Sequence, residues 1–546
     1  MPEDIEKPDT GITIEVPRDY GSAFAVASLA YYLGADVAPG EEPRLVTDEG
    51  FAYPLDGYEG LEATVERTLK RVFTCDCYVR SAGPYSFELA RQADFEAATG
   101  LDPESLFGAT PATRVEHYLS VPRKRVEPFV PEWSVGAHLE PMIESIEYLP
   151  FLARDLAVVA SPAVRETVER AGVTPDTTAA TADDAFTRST AAAAGGSSDA
   201  FGPSDPSGPT DPAVEPDDPS VESDVGGTAD VGVMGNSATV AQWPGVPDPV
   251  VRPADLDAME QVWVADGVPM GAGEPTLDSY RNTLDRSPVE GGIEAVVVCN
   301  DARMAAENDS VRELLGDNTP FDLEVRPYRD LYTDELRAVL ERDADFLHFV
   351  GHVDEAGFVC ADGHLDAATL ESVGVDAFFL NACDSHEQGR ALLDAGAIAG
   401  IVTTVDVLND AAMGMGQLVS RLLDNGFPLG TALRVAAEEH GIEEQYTVIG
   451  DGRMQVTQAE GMSAFFTHVE TLDDGEYRYR AETFATDQSE LGSVVVPYSS
   501  GVRNWYLTGD TAEARITDAE LEESLALGDR PVWFDGDLRW SSDLLD

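Results

Sequence analysis

The sequence predicts an α/β protein built around a doubly wound, mainly parallel sheet, with an N-terminal α/β or α+β domain before it and a β-rich part after it. Three observations carry this expectation. Between residues 290 and 460, short apolar runs alternate with segments of helical period. Several of those runs are continuously apolar, as in "GIEAVVVCND", which suits strands buried on both faces. The composition also breaks sharply after residue 173, separating one folded region from another. A chain of 546 residues has room for several domains.

Residues 1–172 read as an N-terminal domain of unknown role. "ITIEVP" alternates like a strand, and "AFAVASLAYYLG" follows as a helix ended by Gly34. "GLEATVERTLKRVFT" has helical spacing, and "HLEPMIESIEYLPFLARDLAVV" reads as helical up to its proline. Residues 173–242 are rich in Pro, Gly, Ser and Asp, with Arg188 as the one basic residue. Such a stretch buries too little apolar surface to offset chain entropy, so a disordered acidic linker is expected. Residues 243–289 form a connecting segment.

In the central domain, 290–460, the strands are "GIEAVVVCND", "FDLEVRPY", "ADFLHFVGH", "GVDAFFLNAC" and "AGIVTTV". The helices between them are "SVRELLGD", "TDELRAVLERD" with Thr333 as its cap, "GRALLDAGA", and "AAMGMGQLVSRLLDNG" stopped by Gly426. Residues 461–546 turn β-rich, with "YRYRAETF", "SVVVPYS", "NWYLTG" and "PVWFDGDLRW" as strands.

The charge balance bounds the partners. Acidic residues number 101 against 35 basic ones, and the net charge is -66. That excess repels nucleic acid phosphates and anionic lipid heads, so neither nucleic acid nor membrane is an expected partner. It reads as the solvated surface of a halophilic protein. The sharper alternative, a field steering basic substrates, is largely lost at molar salt, where the Debye length is about 3 Å. The five cysteines are odd in number and lack the spacing of a disulfide scaffold, which suggests a reducing compartment. The acidic start lacks a signal-peptide core, and "GSAFAVASLAYYLGA" is shorter than the roughly 20 residues of a membrane span. A cytoplasmic protein is expected. Cys75 and Cys77 form a lone C-x-C and read as packing.

"LHFVGHVDEAGFVCADGHLD" gathers His348, His352, Cys360 and His364. On a strand rising about 3.3 Å per residue, His348 and His352 lie about 13 Å apart, too far to share one zinc ion. Cys360 and His364 fall in a hairpin turning at Asp362-Gly363. No metal is assigned. Ligands of open α/β sheets bind beyond the carboxyl ends of the strands. His352 and Cys383 each follow such an end. If their strands are neighbours, they make a nucleophile and its base. Cys299 also ends a strand but has no partner motif.

"DFLHFVGHVDEAGF", "FFLNACDS", "GRALLDAGAIAGIVTTVDVLNDAA" and "LLDNGFPLGTALRVAAEEHG", in that order, together resemble the CHAT domain, a caspase-like family of clan CD cysteine peptidases. "YTVIGDGRM" is similar to the segment that closes it. The resemblance covers roughly residues 290–458 and neither flank. It implies a caspase-like fold and a cysteine endopeptidase with His352 as catalytic histidine and Cys383 as nucleophile, acting on protein or peptide substrates without a cofactor. It also implies control by the flanking regions or a regulatory protein partner. The oxyanion hole falls to backbone N–H groups at Val353 and Cys383. Val353 departs from the family's glycine there, and a β-branched residue tolerates unusual backbone angles poorly. His348 matches a histidine that is structural in the family. Asp384, Asp406 and Asp410 follow strands and are candidates for a pocket receiving Arg or Lys before the cut. The rival expectation is a catalytically inactive signalling or protein-interaction module on the same fold.

Overall fold

The computed structural model describes residues 7–83, 88–168, 249–286, 292–301, 323–354, 356–404, 409–441, 445–458, 464–472, 475–486, 488–496 and 504–545. The chain divides into one unit of Met1–Val168 with Asp248–Asp546 and another of Glu169–Pro247. The expected linker and the "SVRELLGD" helix lie outside the described residues.

The central sheet has six strands: β1 (Ile293–Cys299), β2 (Leu323–Arg329), β3 (Ala344–Val350), β4 (Val375–Asn381), β5 (Ala399–Thr403) and β6 (Tyr446–Gly450). Their order is β2-β1-β3-β4-β5-β6. The first five are parallel, and β6 closes one edge antiparallel to β5. β3 and β5 are buried along their whole length, as their unbroken apolar runs require. β2 lies at the other edge, where Pro327 leaves no ladder donor unpaired.

Helices cover both faces: α1 (Thr333–Leu340), α2 (His386–Asp394), α3 (Asn409–Asp424) and α4 (Leu429–His440). Alternate strand residues divide between two cores. Val297, Phe346, Phe379 and Ile401 pack with α3 and α4. Val298, Leu347, Phe378 and Leu380 pack with α1 and α2. Thr333 is the first residue of α1 rather than its cap, a position held by Tyr332. Its N–H donates to Asp362 Oδ1 (2.8 Å), and Tyr332 N–H donates to Glu335 Oε2 (3.0 Å).

Between β3 and β4 a three-stranded antiparallel ladder runs over Val353–Asp354, Gly357–Cys360 and Gly363–Leu365. Cys360 pairs with Gly363, so the hairpin turns at Ala361-Asp362, one residue earlier than expected. The carboxylate of Asp362 is occupied by α1, and Ala361 N–H bonds to Leu331 O (3.0 Å).

The N-terminal region is α and β mixed. Its first sheet has the order Asp36–Pro39, Ile12–Val16, Arg44–Thr47, Ala52–Pro54. "AFAVASLAYYLG" folds as two short helices, Tyr20–Ala25 and Ala27–Leu33, with Gly34 at φ 59 in the left-handed region ending the second. "HLEPMIESIEYLPFLARDLAVV" is not one helix. His138 and Leu139 end the strand Val135–Leu139, and helical turns span only Glu144–Tyr148 and Leu149–Arg154. Pro150 sits in a first turn, where its missing N–H has no helical partner to lose.

The connecting segment is structural rather than a plain tether. Its strand Val250–Pro253 pairs with Val164–Val168, and Glu260–Val264 pairs in parallel with Val135–Leu139. Gly273 and Glu274 then stitch that sheet to the central one. Trp263 N–H donates to Gly273 O (2.8 Å), Glu274 N–H to Val448 O (2.8 Å), and Gly450 N–H to Glu274 O (2.9 Å). The C-terminal region holds a five-stranded sheet, ordered Thr511–Ile516, Tyr477–Thr483, Phe465–Thr471, Pro531–Phe534, Asp537–Trp540, a two-stranded sheet of Val494–Val495 with Tyr506–Leu507, and the helices Asp518–Leu525, capped by Thr517, and Ser541–Leu545. No helix among the described residues is long and apolar enough to cross a membrane.

Candidate active site

Three neighbouring parallel strands set the site. The register places Cys299 of β1 opposite Val350 of β3, and Val350 opposite Asn381 of β4. Two residues beyond each of these positions stand Asp301, His352 and Cys383. Adjacent strands lie about 4.8 Å apart, so the acid, imidazole and thiol residues leave the sheet in a row, each two positions beyond the paired ends of adjacent strands.

Each residue is fixed by its own strand end. Asn300 N–H donates to Val350 O (2.9 Å), and Asn300 Nδ2 donates to Val359 O (3.2 Å), which ties β1 to the hairpin. Asp301 is buried, and its carbonyl accepts from the Cys299 thiol (3.1 Å). Its Oδ2 lies 2.9 Å from His352 Nε2, while the imidazole side chain is 49% exposed. An ionised carboxylate only accepts, so in the neutral form of the ring Nε2 is the nitrogen that carries the hydrogen and Nδ1 the one left as acceptor.

Asn381 ends β4, with Nδ2 donating to Ala412 O (2.8 Å) and Oδ1 accepting from Tyr446 OH (2.8 Å). The next turn carries a half-buried Cys383 and an exposed Asp384 at φ 50. Aspartate is among the few side chains that tolerate this left-handed geometry. Ser385 Oγ donates to Leu380 O (3.2 Å), and Thr403 N–H donates to Ser385 Oγ (3.0 Å), locking the turn to β5.

Val353 lies in an ordinary strand, outside the left-handed region, and is buried. Val359 N–H donates to His352 O (2.9 Å), and Val353 pairs with Phe358 one step on. Bonded and non-bonded pairs alternate in such a ladder, so the Val353 N–H points away from Phe358. Asp406 lies outside the described residues, and Asp410 falls in the first turn of α3.

The other histidines separate from this row. His348 is fully buried, 3.4 Å from Ser420 Oγ and edge-on to Phe379. His364 Nε2 lies 3.0 Å from Asp354 Oδ2 on the exposed ladder. Burial pushes the Cys360 thiol up to about 11. Among the described residues no group of three or more His, Cys, Asp or Glu could hold a metal ion. Cys75 and Cys77 lie on the helix Leu61–Arg80, and burial raises both thiols.

Sequence reasoning missed Asp301 and a second cluster behind Cys383. His386 opens α2 and is 1% exposed. Its Nε2 meets Glu274 Oε2 (2.7 Å), and Arg390 Nη1 donates to Glu274 Oε1 (2.6 Å). Burial alone would lower the His386 pKa, but the hydrogen bond to Glu274 and the nearby Glu387 carboxylate overcome it and raise the pKa to about 9. For Asp301 the available signal was "CND" directly after an apolar strand. For Glu274 there was none, because its partner lies 112 residues away.

No protein-family model matches the chain. No curated protein matches it either. Among solved structures it is similar to gingipain R, an Arg-specific cysteine proteinase, at 10% identity and TM-score 0.30, over 48% of this chain and 78% of that one. It is similar to the RgpB pro- and mature-domain complex of Porphyromonas gingivalis at 10% identity and TM-score 0.29, over 47% and 69%. It is also similar to the separase–securin complex of Saccharomyces cerevisiae at 8% identity and TM-score 0.27, over 36% of this chain and 16% of that one.

Proposed function

We propose that the central domain is a caspase-like, CHAT-type doubly wound domain acting as a cysteine endopeptidase, with Cys383 as nucleophile, His352 as base and Asp301 as the group that orients the imidazole. The observation that carries this reading is the common offset of the three residues on successive strands, with the Asp301–His352 bond already made. In the reaction the Cys383 thiol gives its proton to His352 Nδ1, and the sulfur attacks the peptide carbonyl carbon. Backbone N–H groups at Val353 and Cys383 hold the oxyanion. The imidazolium protonates the leaving amine as the C–N bond breaks, leaving a thioester on Cys383. Water, activated by the neutral imidazole, then releases the acid and frees the thiol. No cofactor enters this chemistry.

Asp384, exposed next to Cys383 in the chain, is proposed as the carboxylate that receives a basic side chain before the cut. A peptide panel cleaved equally well after Leu would dismiss that preference. The N-terminal and C-terminal regions are proposed as the regulatory parts that answer to a partner.

The test combines an alkylating activity probe with peptide pools in molar salt. Cleavage by the wild type, with probe on Cys383 and both lost in Cys383→Ala, supports the peptidase. Probe on Cys299 or Cys360 alone, with no cleavage, refutes it and leaves a protein-interaction module on the same fold.

A further inference from the structure

A cavity of about 330 Å³ lies where the connecting segment meets the central domain. Most of its wall is apolar. Val135 and Leu152 come from the N-terminal region, Val262 and Ala272 from the connecting segment, and Leu433 and Val448 from α4 and β6. The volume falls at the small end of the range for ligand pockets, which are typically apolar with a few placed polar groups. Its charges do not balance. Asp155, Glu260, Glu438 and Asp451 face Arg434 and Arg453 around the wall. Arg453 is already paired with Asp155. Among the described residues, the carboxylate of Glu260 takes a hydrogen bond from the Thr431 hydroxyl (3.0 Å) and forms no ion pair.

That carboxylate is built into place. Gly430 opens the first turn of α4 beside it, and a Cβ there would stand 2.8 Å from Glu260 Oε1. Gly430 N–H is taken by Gly452 O (2.9 Å), so it cannot serve the carboxylate. Desolvation pushes the Glu260 carboxyl up to about 7, against the pull of Thr431, Arg453 and Arg434 and with the push of Asp451. A carboxyl that burial has raised to about 7 despite those arginines takes up its charge more fully when a further cation enters the apolar wall beside it.

We propose that this cavity binds a small apolar monocation, an organic ammonium whose hydrocarbon body fills the space between Leu152, Ala272, Leu433 and Val448 and whose charge meets Glu260. The site is separate from the Asp301–His352–Cys383 row and does not rest on the reading of Cys383 as nucleophile.

The experiment is titration calorimetry on the full chain with phenethylammonium, 2-phenylethanol and phenylacetate, which differ in charge but little in size. It is run in molar salt, where the Debye length of about 3 Å suppresses cation binding to the acidic surface. One saturable site for phenethylammonium, at least 10-fold tighter than for the alcohol and with no binding of phenylacetate, is the expected result. Glu260→Gln brings the ammonium to the level of the alcohol. Leu433→Trp, with its folding checked by far-UV circular dichroism, removes binding of both. The mild Glu260→Gln change keeps the test decisive should the tryptophan variant not fold. Absence of saturable heat in the wild type, equal binding of ammonium and alcohol, or a preference that survives Glu260→Gln would each overturn the proposal.

Discussion

Replacing Glu274 by Gln tests how the connecting segment supports the helix behind Cys383. The change keeps the backbone bonds to Val448 and Gly450 and removes one buried charge. In the folded chain the His386 pKa stands at about 9, against 6.5 for the free side chain. At about 1.36 kcal/mol per pH unit, that difference corresponds to about 3 kcal/mol of preference for the charged, folded form. Because the folded pKa is raised, the stabilisation is fully present below about pH 6.5 and fades as the pH rises through about 9. Without the Glu274 carboxylate, only Glu387 opposes burial, and the imidazole loses most of this preference. Glu274→Gln is therefore expected to lower unfolding stability by about 3 kcal/mol at pH 6. At pH 10 the loss falls to about 1 kcal/mol, the worth of a neutral hydrogen bond and of the partly exposed Arg390 pair, which is lost at both pH values. The assay is denaturant unfolding of both proteins at the two pH values and one salt concentration. An equal loss at pH 6 and pH 10 would refute the reasoning, since it would trace the effect to packing rather than to the imidazolium.

Asp301→Asn, which leaves His352 without a charged acceptor, is expected to lower kcat by about 100-fold with little change in KM, read on any cleaved peptide. An unchanged kcat would remove Asp301 from the orienting role. Asp510 is held up to about 6 by burial, eased by Arg91, so the folded state binds its proton more tightly and loses stability between about pH 4 and 6. Asp510→Asn should thus stabilise the protein by about 2 kcal/mol at pH 8 and by almost nothing at pH 4, measured by denaturant unfolding. Gly400 of β5 faces the Phe378 ring, where a Cβ would approach within 2.0 Å. Gly400→Ala should cost about 1–3 kcal/mol through overpacking, seen as a lower Tm.

Much of the architecture was legible because its signals are local. A run such as "ADFLHFV" is apolar at every position, and only a strand covered on both faces hides it. Gly34 and Gly426, both with positive φ, stop helices where the sequence placed stops. His352 and Cys383 could be read as strand-end residues for the same reason. The misjudged elements fail where a distant group intervenes. Asp362 acts on the start of α1 from 29 residues away, and so decides both that helix end and the hairpin turn. The segment 243–289 looks like a tether because its longer strands find their main mates far away in the chain, and only the two-residue strand Val268–Pro269 pairs locally. Their partners, Val135–Leu139 and Val164–Val168, come before the long acidic stretch.

The amino-acid sequence by itself determined which segments become strands or helices and which reactive side chains stand at strand ends, since periodicity and turn chemistry act over a few residues. Only the tertiary structure decided that β1, β3 and β4 lie side by side with Asp301, His352 and Cys383 at one offset, and that Glu274 reaches His386. Those outcomes depend on hydrogen bonds and packing between backbones far apart in the chain, and no local pattern encodes which remote edge a strand will meet.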